Sequence, residues 1–229
     1  MKDISLIAFD ADDTLWECQT YFEAVEKEYC ELLKSYASAD EISKALFAVE
    51  TANMPLLGYG SKAFLLSLLE NAIEVSGGRL KADEVEKIIK LGKELLQLPG
   101  KPMEGVEETL KVLHERGEYH LVVFTKGELL DQENKFHRSG LKPFFDDIIV
   151  VSDKTEASYY QLCERFSINV EQLLMVGNSF RSDIEPVLKL GGWAAHIPFH
   201  TTWQHEVVEE YEHPHLLKLE YFTQLNQVL

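Results

Sequence analysis

The sequence predicts an α/β protein whose parallel sheet is interrupted by an inserted all-helical segment. After residue 99, short apolar runs alternate with helical stretches, which is typical of βαβ units. Between residues 17 and 98 the apolar residues recur at helical spacing and no convincing strand occurs. An apolar run before Asp10 belongs with the later strands. We therefore expect a discontinuous core, residues 1–16 and 99–229, with an inserted domain at residues 17–98.

The first predicted strand, residues 4–9, ends directly before Asp10, Asp12 and Asp13, with Thr14 beside them. Residues at the carboxyl end of a strand lie where open α/β sheets bind their ligands. Three carboxylates so close together repel each other unless a positive charge lies among them. Carboxylate oxygens suit a hard ion such as Mg²⁺. The alternative is an acidic turn that caps a helix, and this segment alone favours neither interpretation.

The inserted segment is predicted to contain about four helices. Ser38 and Glu41 have the spacing of a capping box, which indicates the start of one helix. Val85, Ile88 and Ile89 fall on one face of another. Pairs of glycines near residues 58–60 and 77–78 indicate turns between helices.

Beyond residue 99 the chain is predicted to complete a Rossmann-like sheet. The strands are expected at residues 119–124, 148–151, 173–176 and 192–197, and the helices at residues 105–116, 128–139, 156–166 and 181–190. Polar residues follow these strands, namely Thr125 and Lys126, then Lys154, then Asn178 and Asp183. Because the carboxyl ends of parallel strands share one edge of a sheet, we expect these side chains to converge with Asp10.

The residue types at this edge suit phosphoryl transfer. A carboxylate can act as a nucleophile toward phosphorus, and a second acid can protonate the leaving oxygen and later activate water. A threonine hydroxyl, backbone N–H groups and a lysine ammonium can bind the charge that develops on the phosphoryl oxygens. A divalent cation would offset the repulsion between the nucleophile and the phosphate.

The order of these motifs resembles that of haloacid dehalogenase-superfamily phosphohydrolases. The Asp-x-Asp-x-Thr motif of that family matches residues 10–14, its Thr or Ser matches Thr125, and its Lys matches Lys154. Its acidic fourth motif matches residues 177–183, in the form of a subgroup with Gly-Asn-Ser-x-Arg-Ser-Asp. The helical insertion resembles the family's type-1 cap. The resemblance covers the whole predicted core.

The resemblance implies that Asp10 is the nucleophile and that Asp12 is the general acid/base. Asp10, the Asp12 carbonyl group and Asp183 would bind Mg²⁺. Thr14 would support the turn. Where the family's fourth motif has its first acidic residue, this chain has Asn178. The Asn178 amide brings no charge, and we expect it to contact the metal through a water.

The phosphoryl group is expected to bind to Thr125, Lys126 and Lys154, with Lys126 contributing mainly through its backbone N–H. Four further residues are candidates for substrate contacts: Trp16, Tyr59, Lys62 and His200. For Lys62 the alternative is a solvated turn between helices. For His200 it is a loop packed on the sheet edge, and a zinc site among the neighbouring histidines is disfavoured because no cysteine accompanies them.

The composition of the chain limits the classes of binding partner and the location that we expect. The chain carries 22 Lys and Arg against 39 Asp and Glu, a net charge of −17, which argues against a nucleic-acid partner. No stretch is predicted to span a membrane, and the start of the chain is too weakly apolar for a signal peptide. The three cysteines have no paired spacing and fit buried thiols in a reducing, cytoplasmic location.

These observations predict a Mg²⁺-dependent hydrolase that cleaves the phosphomonoester of a small metabolite through an aspartyl-phosphate on Asp10. Two alternatives stay open. A phosphotransferase or phosphomutase would use the same residues with another acceptor. A non-catalytic phosphate-binding protein would fit the uncharged Asn178 and the extra Asp13. The oligomeric state and the identity of the metabolite are not predicted.

Overall fold

A six-stranded parallel sheet forms the centre of the computed structural model, which describes residues 3–229. The strands lie in the order β3-β2-β1-β4-β5-β6, and all five neighbouring pairs are parallel. Their bounds are β1 Leu6–Phe9, β2 His120–Lys126, β3 Asp147–Val151, β4 Leu173–Gly177, β5 Trp193–His196 and β6 Leu216–Lys218. The predicted α/β, Rossmann-like fold is confirmed. Strand β6 was not predicted, because three residues are too few to show an alternating or continuous apolar pattern.

Strand β1 lies in the middle of the sheet because both of its faces are apolar. All of its residues are fully buried, as expected for a parallel strand covered by helices on both sides. Phe9 is aligned with Val123 of β2 and Val176 of β4. The chain therefore leaves these three strands at the same edge, where the strand order reverses and ligands bind in open α/β sheets.

Helices cover both faces of the sheet. They are α5 Val106–Arg116, α6 Leu129–Ser139, α7 Glu156–Phe166, α8 Glu185–Lys189 and α9 Leu225–Val228. Leu110 of α5, Phe136 of α6 and Leu225 of α9 pack in one apolar cluster with β1. Leu162 of α7 and Val187 of α8 pack in the cluster on the opposite face. Burial of these two clusters is the main favourable contribution to the stability of the sheet.

The loop after β4 differs from the prediction of one helix over residues 181–190. Phe180–Ile184 forms a π-helical turn, and α8 follows it. The Glu185 N–H donates to the Phe180 carbonyl oxygen across this wider turn. Pro186 has no N–H to donate, so the next position cannot extend the same hydrogen-bond pattern. Short π turns of this kind recur at functional sites.

The chain divides into two compact units, Met1–Gln19 with Pro99–Leu229, and Thr20–Leu98. We call the second the helical unit. Its helices are α1 Gln19–Leu33, α2 Ala39–Leu57, α3 Ser61–Val75 and α4 Ala82–Leu95, with α1 beginning at the junction. The predicted capping box of Ser38 and Glu41 is confirmed at the start of α2.

Within residues 3–229, no helix combines the length and apolar character of a membrane span. Cys18, Cys30 and Cys163 are all free and buried. The cysteines therefore act in packing, as small apolar side chains do.

Replacing Tyr29 by phenylalanine is expected to lower the free energy of unfolding of the helical unit by about 1–3 kcal/mol, because it leaves two buried acceptors without their hydroxyl donor. Tyr29 is fully buried, and its hydroxyl lies 2.6 Å from Asn71 Oδ1 and 2.9 Å from the Leu68 carbonyl oxygen. Urea denaturation of Tyr29→Phe measures the loss. Tyr21→Phe, at a side chain that is 36% exposed in the same helix, is the control and should change stability by less than about 0.5 kcal/mol.

Candidate active site

Asp10 directly follows β1 and continues its pairing, since its N–H donates to the Val176 carbonyl oxygen at 2.9 Å. The residue is only 7% exposed. Lys154 donates to Asp10 Oδ1 and, at 2.7 Å, to Asp183 Oδ1. The Thr14 hydroxyl donates to Asp10 Oδ2 at 3.3 Å. A single ammonium group thus links the ends of β1, β3 and β4 in the centre of the site.

Burial dominates the electrostatics of Asp10. It raises the pKa of the carboxyl group to about 7, against the lowering effect of Lys154, and the nearby Asp183 adds to the increase. Burial alone would lower the pKa of Lys154, but Asp10 and Asp183 outweigh it, and the pKa is raised. The ammonium therefore stays charged. Two carboxylates share one cation, so this part of the site has unsatisfied negative charge.

Asp183 lies on the π turn with both carboxylate oxygens engaged. Oδ1 faces Lys154, and Oδ2 accepts from the Ser179 N–H at 2.9 Å. The last residue of β4 must be glycine for this arrangement, because a Cβ atom on Gly177 would lie 2.2 Å from Asp183 Oδ2. The missing side chain at Gly177 is what allows Asp183 to approach the end of the strand.

Asn178 reaches the same centre through its side-chain amide. One end of the amide lies 3.1 Å from Thr14 Oγ1, 3.3 Å from Asp10 Oδ2 and 3.3 Å from the Asp12 carbonyl oxygen. The nitrogen belongs at this end, where it donates to these acceptors, because an oxygen there would face oxygen atoms alone. Asn178 therefore links the loop after β4 to the turn after β1.

Asp12 is held by donors from two elements. Lys135 of α6 donates to both carboxylate oxygens at 2.7 Å, and Gln132 donates to Oδ2 at 2.9 Å. The Trp16 indole N–H donates to Oδ1 at 2.8 Å. Burial alone would raise the pKa of Asp12, but the Lys135 charge outweighs it and the pKa is lowered. These contacts use the acceptor sites of an ionised carboxylate, of which there are about four.

Gln132 joins Asp12 to the end of β2. Its amide nitrogen lies 3.0 Å from Thr125 Oγ1 and 2.8 Å from the Lys126 carbonyl oxygen. Thr125 is 1% exposed. The candidate general acid/base and the candidate phosphoryl-binding hydroxyl are thus positioned by the same side chain.

The Lys126 ammonium points to a second cluster on the same edge of the sheet. It pairs with Glu206, which lies in a short turn after β5, and lies 2.9 Å from Ser182 Oγ. Ser179 and Ser182 both donate to Glu206 Oε2, the latter at 2.5 Å. Burial would raise the pKa of Glu206, but Lys126 and the two hydroxyl groups lower it. The predicted phosphate contact of Lys126 would therefore come from its backbone N–H rather than from its ammonium group.

Asp13 fills the helix-capping role that the sequence left open as an alternative. Its carboxylate accepts from the N–H groups of Cys18 at 2.8 Å and Gln19 at 3.0 Å, where α1 begins. Its φ angle of +62° lies in the left-handed region that favours glycine. Both interpretations of this acidic turn thus apply, to different carboxylates: Asp13 caps a helix, whereas Asp10 faces the site.

The predicted substrate-contact residues are spread over the chain. Trp16 is fully buried beside Asp12. His200 is exposed and its ring lies 4.1 Å from that of Phe199. Lys62 is exposed on α3, and Tyr59 lies between α2 and α3 in the helical unit.

Sequence reasoning missed Gln132, Lys135 and Glu206. The first two are evident only in the folded chain, where α6 buries polar residues at helical spacing and exposes Leu129 and Leu130. A helix whose inward face is polar indicates a site rather than a core. No local pattern identifies Glu206, since it lies 80 residues from its partner Lys126.

Comparison with known proteins identifies the family of the chain. A family model described as a haloacid dehalogenase-like hydrolase matches residues 4–191. The chain belongs to this family. A crystal structure of a haloacid dehalogenase-like family hydrolase from Xanthomonas campestris is 34% identical, with a TM-score of 0.89, and the match covers 99% of this chain and 90% of that one. A search of the curated proteins found no match.

More distant structures share the fold of this haloacid dehalogenase-like hydrolase. A predicted phosphoglycolate phosphatase from Haemophilus somnus 129PT is 18% identical, with a TM-score of 0.64, covering 100% of this chain and 99% of that one. A 2-haloacid dehalogenase from Pseudomonas syringae pv. tomato DC3000 is also 18% identical, with a TM-score of 0.65, covering 98% and 97%. These two structures carry different descriptions, so the shared fold by itself does not identify a reaction.

Gly177→Ala is expected to displace Asp183 from Lys154 and from the Ser179 N–H. The added Cβ would lie within 2.6 Å of three Asp183 atoms, and overpacking with loss of buried hydrogen bonds costs about 1–3 kcal/mol. Urea denaturation measures the change. Unfolding at the wild-type urea concentration would contradict the close approach.

The free energy of unfolding of the metal-free protein should fall as the pH rises from about 4 to about 7, through the contribution of Asp10. The carboxyl group has an ordinary pKa of 3.8 and a folded pKa of about 7, so the folded state holds a proton that the unfolded state has lost. Stability therefore decreases across this window and levels off above it. Denaturation at a series of pH values, with a chelator, should show this decrease in the wild type but not in Asp10→Asn; parallel profiles would contradict it.

Proposed function

We propose that this haloacid dehalogenase-like hydrolase is a Mg²⁺-dependent phosphatase that hydrolyses small phosphomonoesters through an aspartyl-phosphate on Asp10. The observation that carries the proposal is the buried Asp10 carboxylate, which shares Lys154 with Asp183 beside Thr14. A nucleophilic carboxylate needs a fixed position and compensating positive charge, and this group has both.

In the first step, an Asp10 oxygen forms a bond to phosphorus while the bond to the ester oxygen breaks. Asp12 gives a proton to the departing oxygen. In the second step, Asp12 takes a proton from water as the water oxygen attacks phosphorus, which releases phosphate and restores the Asp10 carboxylate. Thr125 and Lys154 are proposed to bind the phosphoryl oxygens.

The contacts of Asp12 suit the second step best. Lys135 lowers the pKa of its carboxyl group, so the basic form that activates water prevails at neutral pH. Since Lys135, Gln132 and Trp16 occupy both oxygens, one of these contacts must break before Asp12 protonates a leaving group. We infer that substrate binding breaks this contact.

The residues present fit a hard cation. Across residues 3–229, no three His, Cys, Asp or Glu side chains are grouped to hold a metal by themselves. The proposed donors are instead Asp10, the Asp12 carbonyl oxygen and Asp183, which Lys154 holds beside Asp10. Asn178 is proposed to contact the metal through a water, because its amide nitrogen faces Asp10 and the Asp12 carbonyl group. Mg²⁺ commonly takes one or two carboxylates and completes its shell with water and substrate oxygens.

When bound, Mg²⁺ supplies the positive charge that lets an anionic nucleophile and a phosphate group approach each other. With that charge present, Lys154 would no longer have to neutralise Asp10 and Asp183 alone. Its ammonium group would then be able to donate to a phosphoryl oxygen. The release of Lys154 from its carboxylate partners would couple phosphate binding to metal binding.

Substrate selection is proposed for the segment at residues 17–98, as a type-1 helical cap, with candidate contacts from Tyr59 and Lys62. Trp16 and His200 are the candidates in the rest of the chain. The Gly-Asn-Ser-x-Arg-Ser-Asp run at residues 177–183 supports the proposed subgroup. The net charge of −17 disfavours a nucleic acid as the substrate, and a small phosphorylated metabolite is proposed instead. A cytoplasmic location is proposed because the three cysteines are free and buried.

A second candidate is hydrolytic dehalogenation, in which Asp10 displaces a halide from carbon and water hydrolyses the ester formed. One observation favours it: Asp12, whose acid role such chemistry does not use, is already bound by Lys135, Gln132 and Trp16.

Phosphoryl transfer to an acceptor other than water would use the phosphatase residues unchanged. A phosphate-binding protein without turnover is the remaining alternative.

Turnover of a panel of phosphomonoesters, with and without Mg²⁺, tests the proposal. Phosphate release should depend on Mg²⁺, and Asp10→Asn should lower it by a factor on the order of 10³ or more, the scale seen when a nucleophile is removed. Halide release from 2-haloacids, measured in parallel, would favour the second candidate. Phosphate release that survives in Asp10→Asn would overturn the proposed mechanism.

A further inference from the structure

We propose that Glu206 is a positioning residue that fixes the loop at residues 178–183, in which Asp183 is proposed to bind Mg²⁺ and Asn178 to contact it through a water. The inference rests on the proposed function. Glu206 does not itself touch Asp10 or Asp12 through any hydrogen bond found over residues 3–229. It acts through the two serines of the loop, Ser179 and Ser182.

Glu206 is the centre of a buried polar cluster. It is 8% exposed, and Ser179 and Ser182 are 7% and 5% exposed. One carboxylate oxygen faces Lys126, and the other accepts from both serine hydroxyl groups. Buried, charge-assisted hydrogen bonds of this kind are stronger than neutral ones. The cluster joins the end of β2 to Ser179, directly before the π turn, and to Ser182 within it.

The serines connect this cluster to the candidate metal site through the main chain. Ser179 directly follows Asn178, and its N–H donates to Asp183 Oδ2 at 2.9 Å. Ser182 directly precedes Asp183, and its N–H donates to Ser179 Oγ at 3.0 Å. Movement of either serine would therefore move a proposed metal donor.

Glu206 belongs to a part of the chain beyond the family match, which ends at residue 191. A second contact fixes the same segment, since Arg181 donates to the His205 carbonyl oxygen. The segment after β5 thus holds the π turn at two consecutive residues. We infer that this haloacid dehalogenase-like hydrolase uses a segment outside the matched region to position its fourth motif.

The chemistry of the cluster requires a carboxylate at this position. Its partners are all donors: one ammonium and two hydroxyl groups. A glutamine could accept from the serines with its oxygen, but its NH₂ group would then face the Lys126 ammonium. Glu206→Gln should therefore disturb the loop although it preserves the shape of the side chain. Removing the ammonium as well, in Glu206→Gln with Lys126→Met, should relieve this clash.

Two measurements on the full chain test the inference without relying on turnover. Hydrogen exchange of the metal-free protein reports how firmly residues 179–184 are held. Binding of Mn²⁺, used as a paramagnetic probe for the Mg²⁺ site, reports whether the donors are in place. The variants are Glu206→Gln and the double variant with Lys126→Met. Glu209→Gln, an exposed residue in the same segment, is the matched control.

We expect Glu206→Gln to speed exchange at residues 179–184 and to weaken Mn²⁺ binding by about 10-fold or more, the range for residues that orient metal ligands. The double variant should recover part of the affinity, and Glu209→Gln should match the wild type. Faster exchange with unchanged Mn²⁺ affinity would make Glu206 a structural residue only and overturn the inference, as would no change in either. If the wild type bound no Mn²⁺, the proposed metal site itself would be wrong. This outcome separates failure of the proposed function from failure of the proposed role of Glu206.

Discussion

The site depends on one buried cation, the Lys154 ammonium between the carboxylates of Asp10 and Asp183. All three groups are nearly inaccessible to water, so their charges interact strongly and none can be left unpaired without a large cost. One positive charge cannot neutralise two negative ones. Burial and this imbalance raise the pKa of Asp10 to about 7, and both make the site receptive to a second cation.

The same constraint explains the rest of the polar edge. Lys135 is paired with Asp12 and Lys126 with Glu206, so each lysine at this edge already has a carboxylate partner. A phosphate group can therefore bind a lysine only if something replaces that lysine in its ion pair. The charge of the proposed Mg²⁺ would do this for Lys154 by offsetting the charge of Asp10. Lys135 and Lys126 hold side chains in position, and their ion pairs join segments that are far apart in the chain.

The fold accounts for where these groups meet. Parallel strands bring the ends of β1, β2 and β4 together at the reversal of strand order. Two structures that are only 18% identical to this chain, described as a predicted phosphoglycolate phosphatase and a 2-haloacid dehalogenase, have the same fold. The sheet therefore supplies an edge that several reactions can use. The reaction depends on which side chains occupy that edge and how each is paired, as the contacts of Asp12 with Lys135 illustrate.

The sequence by itself determined the α/β class, five of the six strands and the acidic turn after β1, because periodicity and strand ends are local properties of the chain. It also placed Asp10, Thr125, Lys154 and Asp183 at one edge, since parallel strands share their direction. Only the tertiary structure decided the partners of these groups. Lys135 meets Asp12 across 123 residues and Glu206 meets Lys126 across 80, and the orientation of the Asn178 amide depends on three oxygens from another strand end. Such pairings follow from how helices and loops pack on the sheet, and packing leaves no periodic trace in the sequence.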